Sequence, residues 1–278
     1  MRRVLTLALA MALMPVLCAQ TYQTTGATRE DRVQMRVGAE FSKKWKNGLE
    51  LSLDEDMRFD LYDVQSGTYA KTDKSTGKQL SADTTFGAAF DKSYTTLSLS
   101  YHPIEYFKMD GGYTLRILGK KGSDPAELLR HRLFFSVGAM YHFRYAKLYV
   151  RERFVCDMRA DSVNLQEKNK FNWTLRSRIG SEFIVPGKPV KPYIWAELHN
   201  SLNAPTLQQK NGQQYITRVR TQVGCKWRLT KLSSMDFYYR FTYGYDRDIN
   251  ITKGQGYVQL TEETLYQHAI GVAYHLGW

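Results

Sequence analysis

The sequence predicts an all-β protein: a single antiparallel transmembrane β-barrel of about 12 strands (10–12) with an N-terminal signal peptide. Three observations lead to this fold. Large apolar residues alternate with small or polar ones along most of the chain, the last strand ends on an aromatic residue, and the first residues have the pattern of an export signal. After that signal, no stretch approaches the ~18 consecutive apolar residues of a transmembrane helix. Because only alternate barrel residues face lipid, a mean hydropathy of −0.46 does not argue against a membrane location.

The last strand, residues 265–278, alternates with a period of two. Its even positions are mostly large and apolar, and they end in Tyr274, Leu276 and Trp278, whereas its odd positions are small or polar. A period of two indicates a β-strand with one apolar face. A barrel in lipid must pair its last strand with its first, because an open edge cannot be hydrogen-bonded there. We therefore expect this strand to close the barrel. The alternative is the last strand of a soluble sandwich.

The N-terminus resembles a secretory signal over residues 1–19. Arg2 and Arg3 form the positive region, residues 4–17 are apolar, and cleavage after Ala19 fits the pattern. A lipoprotein cut before Cys18 is the alternative. Residues 20–32 are predicted to be a periplasmic lead-in and residues 33–278 the barrel. The expected location is the outer membrane, with membrane lipids, lipopolysaccharide and the barrel insertion machinery as partners, and the barrel is expected to be a monomer.

The composition limits the classes of function. Without Arg2 and Arg3 the chain holds 37 basic and 27 acidic residues, an excess that favours an anionic solute or anionic lipid headgroups. Nucleic acid is not expected, because an exported chain rarely meets it. The number and spacing of Cys156 and Cys225 indicate neither a metal site nor a disulfide framework, and no cofactor is predicted. The 19 tyrosines suit the aromatic girdles of a membrane barrel.

Twelve segments have the alternation of a strand. They cover residues 33–42, 49–59, 80–90, 94–101, 107–118, 131–144, 146–156, 171–183, 191–199, 215–227, 233–243 and 265–278. From residue 102 onwards the connections are alternately short and long, as in barrels with short periplasmic turns and long extracellular loops. The long polar segments are 119–129, 157–170, 200–214 and 244–263. With 12 strands, however, the long segment 60–79 falls on the periplasmic side and breaks this pattern.

The faces opposite the apolar ones are predicted to line the interior, and they are rich in arginine. Side chains two residues apart on a strand lie on the same face. By this parity the interior holds the pairs Arg130 and Arg132, Arg151 and Arg153, Arg176 and Arg178, and Arg218 and Arg220, together with Arg36, Arg116, Arg144 and Arg240. It also holds the acids Glu40, Glu50, Asp54, Asp56, Asp110, Glu182, Glu197 and Asp236. The turn near Gly187 places Glu197 opposite Arg176 or Arg178.

Two non-enzymatic functions fit this interior. Paired arginines and carboxylates could form a structural lattice that fills the barrel, since buried charges are costly unless paired. Alternatively, the arginines could line a narrow pore that favours anions.

A lipid- or lipopolysaccharide-modifying hydrolase or acyltransferase is the alternative of another class. Such an enzyme needs a nucleophile beside a histidine base. The nearest candidates are His102, His142, His199 and Ser201. The sequence shows neither a phospholipase signature nor a Gly-x-Ser-x-Gly elbow, so no catalytic residue is assigned and a protein without enzymatic activity is predicted.

Several short motifs also occur in a recognisable order. They are Phe90-Asp91-Lys92-Ser93, Ser98-Leu99-Ser100-Tyr101, Gly111-Gly112-Tyr113, Arg130-His131-Arg132, Arg151-Glu152-Arg153, Leu175-Arg176-Ser177-Arg178, Pro192-Tyr193 and Glu197-Leu198. Over residues 30–278 this order resembles an uncharacterised family of Gram-negative outer-membrane β-barrels, domain of unknown function 2490. The resemblance implies an outer-membrane barrel and no particular activity.

Overall fold

The structure is a computed structural model that describes residues 26–67, 71–72, 79–80, 84–119, 129–158, 171–203, 216–251 and 258–278. These residues form β-strands and turns, in agreement with the predicted all-β class. The strands are β1 (Gly26–Lys44), β2 (Leu49–Gly67), β3 (Lys71–Thr72), β4 (Gln79–Leu80), β5 (Thr84–Ile104), β6 (Phe107–Leu118), β7 (Leu129–His142), β8 (Ala146–Met158), β9 (Phe171–Phe183), β10 (Val190–Ser201), β11 (Ile216–Arg228), β12 (Ser233–Ile251) and β13 (Val258–Gly277). The described residues contain no helix that is long and apolar enough to cross a membrane. The predicted signal peptide lies outside the described residues.

Eleven of these strands form one closed barrel, and β3 and β4 form a separate two-stranded ribbon. The order around the barrel is β1-β13-β12-β11-β10-β9-β8-β7-β6-β5-β2. All neighbours are antiparallel except β1 and β13, which run in the same direction over 17 paired residues. The predicted barrel is therefore correct, but the count of 12 strands and the fully antiparallel closure are wrong. An odd number of strands must place its first and last strands parallel.

The extra predicted strand arises from a β-bulge in β5. The segments 80–90 and 94–101 were predicted as two strands, but residues 84–104 form one. Opposite β2, Arg58 pairs with Lys92 and Phe59 pairs with Phe90, so Asp91 is the additional residue of the bulge. A bulge shifts the alternation by one position. Outward side chains therefore occupy even positions before the bulge, such as Phe90, and odd positions after it, such as Leu97. In the sequence this change of alternation looks like the start of a new strand.

With 11 strands, the short connections from the sequence pattern fall at one end of the barrel, and at the other end only the last connection, residues 252–257, is as short as residues 184–189. The short ones are 45–48, 105–106, 143–145, 184–189 and 229–232, and they lie at one end of the barrel, which we call the turn end. The remaining connections lie at the other end, which we call the far end. The connection after β2 now falls at the far end, so the predicted exception disappears. The predicted loop 244–263 is mostly strand, because β12 extends to Ile251 and β13 begins at Val258.

Both edges of the barrel seam are longer than predicted. β1 begins at Gly26 and so includes most of the predicted lead-in 20–32. At the turn end, the Trp278 amide donates to the Ser42 carbonyl (3.1 Å) and the Lys44 amide donates to the Trp278 carbonyl (3.1 Å). Tyr274 and Leu276 lie within β13, and Trp278 follows directly after it. The predicted terminal strand thus closes the barrel.

The two faces of the barrel wall differ as the alternation predicts. Outward side chains are apolar and exposed; Ile179 is 60%, Ile194 52% and Ile270 65% exposed. Inward side chains are mostly polar or charged, and many are buried against each other; Arg36 is 1% and Glu197 2% exposed. The core of this protein is therefore polar, and its apolar surface is on the outside.

Candidate functional site

A cavity of about 1130 Å³ occupies the barrel interior and is lined by residues from all eleven barrel strands. Its lining includes Lys147 and His275 towards the turn end, and Asn203 and Glu263 at the far end. Most of its wall is charged or hydroxylic. This cavity is the candidate functional site.

Most of the predicted interior arginines line this cavity, whereas Arg36 is buried and does not line it. The lining includes the predicted Arg116, Arg130, Arg132, Arg151, Arg153, Arg176, Arg178, Arg218, Arg220 and Arg240, and also Arg29 and Arg58. Arg144 does not belong to this set. It lies exposed in the turn between β7 and β8, with its guanidinium carbon 5.0 Å from the ring centre of Tyr145. The alternation ends with the strand, so parity does not apply to a turn residue.

Glu197 lies buried among the arginines rather than on the cavity surface. Its Oε2 accepts from Arg178 Nε (2.8 Å) and from Arg151 Nη2 (3.3 Å), and Arg220 Nη1 is 3.7 Å from Oε1. His199 Nε2 is 2.8 Å from the same Oε1. Glu197 is directly opposite Arg178 on β9, one of the two predicted positions. One carboxylate thus binds groups from four strands.

Two further carboxylates bind arginines of the same wall. Asp157 accepts from Arg132 Nε (2.7 Å) and from Arg116 Nη1 (3.3 Å), and Asp110 accepts from Arg153 Nη2 (3.0 Å). Asp157 was absent from the predicted interior acids, because the strand was expected to end at residue 156. β8 extends to residue 158, and the same alternation then places Asp157 inside.

The charges of this wall do not balance. Within the described residues, strands β6–β11 carry nine arginines that line the cavity, and three inward carboxylates of the same strands, Asp110, Asp157 and Glu197, bind arginines. A fourth inward carboxylate of strands β6–β11, Glu182, binds Lys226 (3.3 Å) and Lys191 (3.6 Å) at the turn end. Within the described part of the chain, no carboxylate lies within 4.0 Å of the Arg176 guanidinium. The wall therefore has an excess of positive charge facing the cavity.

Four aromatic rings of the inner wall lie against glycines of the neighbouring strand. The four directly opposite pairs are Phe134 with Gly112, Tyr149 with Gly180, Tyr193 with Gly224, and Tyr238 with Gly271. A Cβ atom on any of these glycines would come within 2.1–2.7 Å of the facing ring. The glycines therefore leave room for the rings beside the wall, which keeps the rings out of the centre of the cavity. These pairs could not be predicted from the sequence, because each joins two strands that are linked by a far-end connection rather than by one of the short turns, and such a connection does not fix the register.

Three of the arginines stack on inward rings. The guanidinium carbons of Arg178, Arg58 and Arg153 lie 3.8 Å, 3.9 Å and 4.3 Å from the ring centres of Trp195, Tyr94 and Phe134. Stacking of this kind stabilises a guanidinium without neutralising it. These arginines are therefore held in place with their charge retained.

The predicted candidates for catalysis do not form a site on the outer face. His199 is 4% exposed and binds Glu197, and both His199 and Ser201 face the cavity. His102 and His142 lie near the turn end, each 3.8 Å from a glutamate. On the outer face, His131 Nδ1 is 2.6 Å from the Tyr113 hydroxyl.

Comparison with known proteins places the chain in a protein family. A family model described as "Protein of unknown function (DUF2490)" matches residues 38–252. No curated protein and no solved structure matches the chain.

Proposed function

Since this chain belongs to the DUF2490 family, which is described only as a protein of unknown function, we propose its function from the barrel itself. It spans the outer membrane of a Gram-negative cell as a non-enzymatic barrel and forms a narrow passage that favours small anionic solutes. The observation that carries this proposal is the arginine excess around a cavity whose lining reaches both ends of the barrel. Rings of arginine are one way in which pores select anions.

The outer face supports a membrane location. A soluble protein rarely exposes a large continuous apolar surface, yet the middle of this barrel exposes Leu97, Leu99, Ile179, Ile194 and Val223. Aromatic residues flank this band at both ends. They include Trp45, Tyr106, Tyr145, Trp227 and Trp278 at the turn end, and Phe90, Phe171 and Trp173 towards the far end. An apolar band between two aromatic girdles is typical of transmembrane barrels.

Outer-membrane lipids and lipopolysaccharide would then surround this band, and the aromatic C-terminus would be read by the barrel insertion machinery. We propose that the barrel acts as a monomer, with the turn end in the periplasm, because long connections of such barrels are extracellular.

Glu152 provides a test of the membrane location. It points outwards from β8 in the apolar band, where its Oε2 accepts from the Ser177 hydroxyl (2.7 Å). An acid on the lipid face is costly, though less so than a base. Replacing Glu152 by leucine is expected to raise the free energy of unfolding from lipid vesicles by about 1–2 kcal/mol. Glu105→Leu is the control, because Glu105 lies in a turn with its side chain 69% exposed. A destabilised Glu152→Leu variant would contradict a lipid-facing position.

The passage is tested by conductance in a planar bilayer with a potassium chloride gradient. The reversal potential of the refolded protein is expected to show chloride preferred over potassium. Changing Arg151, Arg153, Arg176 and Arg178 to glutamine should abolish that preference, whereas Arg144→Gln in the exposed turn should leave it intact.

A single substitution keeps the test informative if the quadruple variant does not fold. Arg176→Gln breaks no ion pair with a carboxylate of the described residues, so it should fold and should weaken the chloride preference. Correctly folded protein that does not conduct, or conducts without preferring chloride, would refute the anion passage and favour a structural lattice.

A lipid- or lipopolysaccharide-modifying enzyme remains the second candidate. In its favour, Glu197, His199 and Ser201 follow each other at every second position on the inner face of β10, with 2.8 Å between Glu197 and the imidazole. Against it, Glu197 already binds Arg151 and Arg178. The imidazole also faces the interior rather than the lipid that such an enzyme would modify.

A further inference from the structure

Like-charged groups are paired directly opposite each other on two walls of the cavity. On β8 and β9, Arg151 is directly opposite Arg178, and Arg153 is directly opposite Arg176. Like charges at such positions are destabilising. Two consecutive pairs of this kind form a concentrated positive surface, which we call the arginine face.

Towards the turn end, strands β1 and β2 carry the opposite arrangement, whereas farther along the same strands Arg36 is directly opposite Arg58. Glu40 is directly opposite Asp54, again a pair of like charges. Glu40 Oε2 lies 2.8 Å from His275 Nδ1, and Glu50 lies 3.8 Å from His102. Asp54 has no hydrogen-bond or ion-pair partner among the described residues. Glu40, Glu50 and Asp54, which all line the cavity, form what we call the acid face.

The two faces lie opposite each other. Three strands separate β2 from β8 on one side of the barrel, and four separate β1 from β9 on the other. Asp54 is the sixth residue of β2 and Arg151 is the sixth residue of β8, both counted from the turn end. The acid face and the arginine face are therefore at a similar depth, on opposite walls of one cavity.

We propose that this cavity binds and orients small dipolar solutes, which carry a carboxylate or phosphate at one end and an ammonium group at the other. The proposal rests on the anion-favouring passage and narrows its solute class. An electric field between the two faces would direct the anionic end towards the arginine face and the ammonium end towards the acid face. A simple anion is attracted by the arginine face but repelled by the acid face, whereas a dipolar solute is attracted by both faces.

The test compares two isomers of equal size in swelling of liposomes that contain the refolded full chain. γ-Aminobutyrate is dipolar, and γ-hydroxybutyramide is its uncharged isomer. γ-Aminobutyrate is expected to enter about tenfold faster, the lower end of the range for electrostatic focusing in charged clefts. In the Glu40→Gln/Asp54→Asn variant the two rates should become similar, while the chloride preference persists or increases.

Glu182→Gln is the matched control. Glu182 is also a cavity carboxylate near the turn end, but it lies on β9, on the wall of the arginine face. This variant should keep the faster entry of γ-aminobutyrate. Equal rates for the two isomers in the unmodified protein, or an unchanged ratio in the double variant, would overturn the inference. If the protein still prefers chloride after such a result, only the dipolar solute class is refuted and the anion passage stands. If the unmodified protein shows no chloride preference, the anion passage is refuted as well.

Discussion

Replacing Glu197 by leucine is expected to lower the free energy of unfolding of the barrel by about 3–5 kcal/mol, as found when one partner of a buried ion pair is removed. Glu197 is 2% exposed and binds Arg151, Arg178 and His199, with Arg220 at 3.7 Å. Without the carboxylate, three guanidinium groups would remain close together with little to offset their repulsion. Urea unfolding in lipid vesicles, followed by tryptophan fluorescence, measures the loss.

Glu182→Leu is the matched control for this prediction. Glu182 binds Lys191 and Lys226, whose side chains are 52% and 43% exposed, so its removal should cost less than about 1 kcal/mol. Removing Arg178 together with Glu197 should cost less than the sum of the two single changes, because each single change leaves the other charge without its partner. A loss below about 1 kcal/mol for Glu197→Leu would contradict the role of Glu197 as the central counter-ion.

Replacing Gly271 by alanine is expected to destabilise the barrel by about 1–3 kcal/mol, the usual cost of overpacking. The added Cβ would lie 2.1 Å from the Tyr238 ring, which rests on Gly271 from the neighbouring strand. The ring can relieve this clash only by turning away from the wall into the cavity. We therefore expect single-channel conductance to fall as well, which a purely structural effect would not require.

Gly111→Ala is the control for the glycine change. An alanine Cβ there would meet its nearest heavy atom at 3.6 Å, an ordinary contact, so stability should change by no more than about 0.5 kcal/mol. Tyr238→Ala in the Gly271→Ala background should restore conductance, because it removes the displaced ring. Normal stability and normal conductance of Gly271→Ala would show that the ring does not rest on this glycine.

The barrel could be predicted from the alternation of residues, but its strand number could not. Alternation is a local property, and it is interrupted equally by a turn between two strands and by one additional residue within a strand. Asp91 is such a residue, and its side chain points inwards beside Lys92 (2.9 Å) and Gln34 (2.9 Å). Only the pairing of β5 with β2 distinguishes the bulge from a turn. Because the bulge at Asp91 was interpreted as a break between two strands, the prediction had 12 strands and an antiparallel seam instead of 11 strands and a parallel seam.

The interior arginines could likewise be predicted, because parity alone decides which face a side chain is on. Their partners were harder to predict. Glu197 and Arg178 lie on one hairpin, so the turn between β9 and β10 fixes their register. Asp110 and Arg153, by contrast, lie on β6 and β8, and their contact crosses the intervening strand β7. Such contacts depend on barrel curvature and side-chain length, which no local pattern contains.

The parallel seam between β1 and β13 restricts how the chain could be rearranged. In a barrel with an even number of strands, both termini emerge at one end, and a short linker can join them in a circular permutant. Here Gly26 lies at the far end and Gly277 at the turn end. The 20 residues of β13, at about 3.3 Å each and tilted by about 45°, span roughly 45 Å along the barrel axis. A joining linker would need at least about 14 extended residues. The linker would also have to run through the cavity or along the lipid face. The odd number of strands therefore makes a circular permutant of this barrel difficult to build.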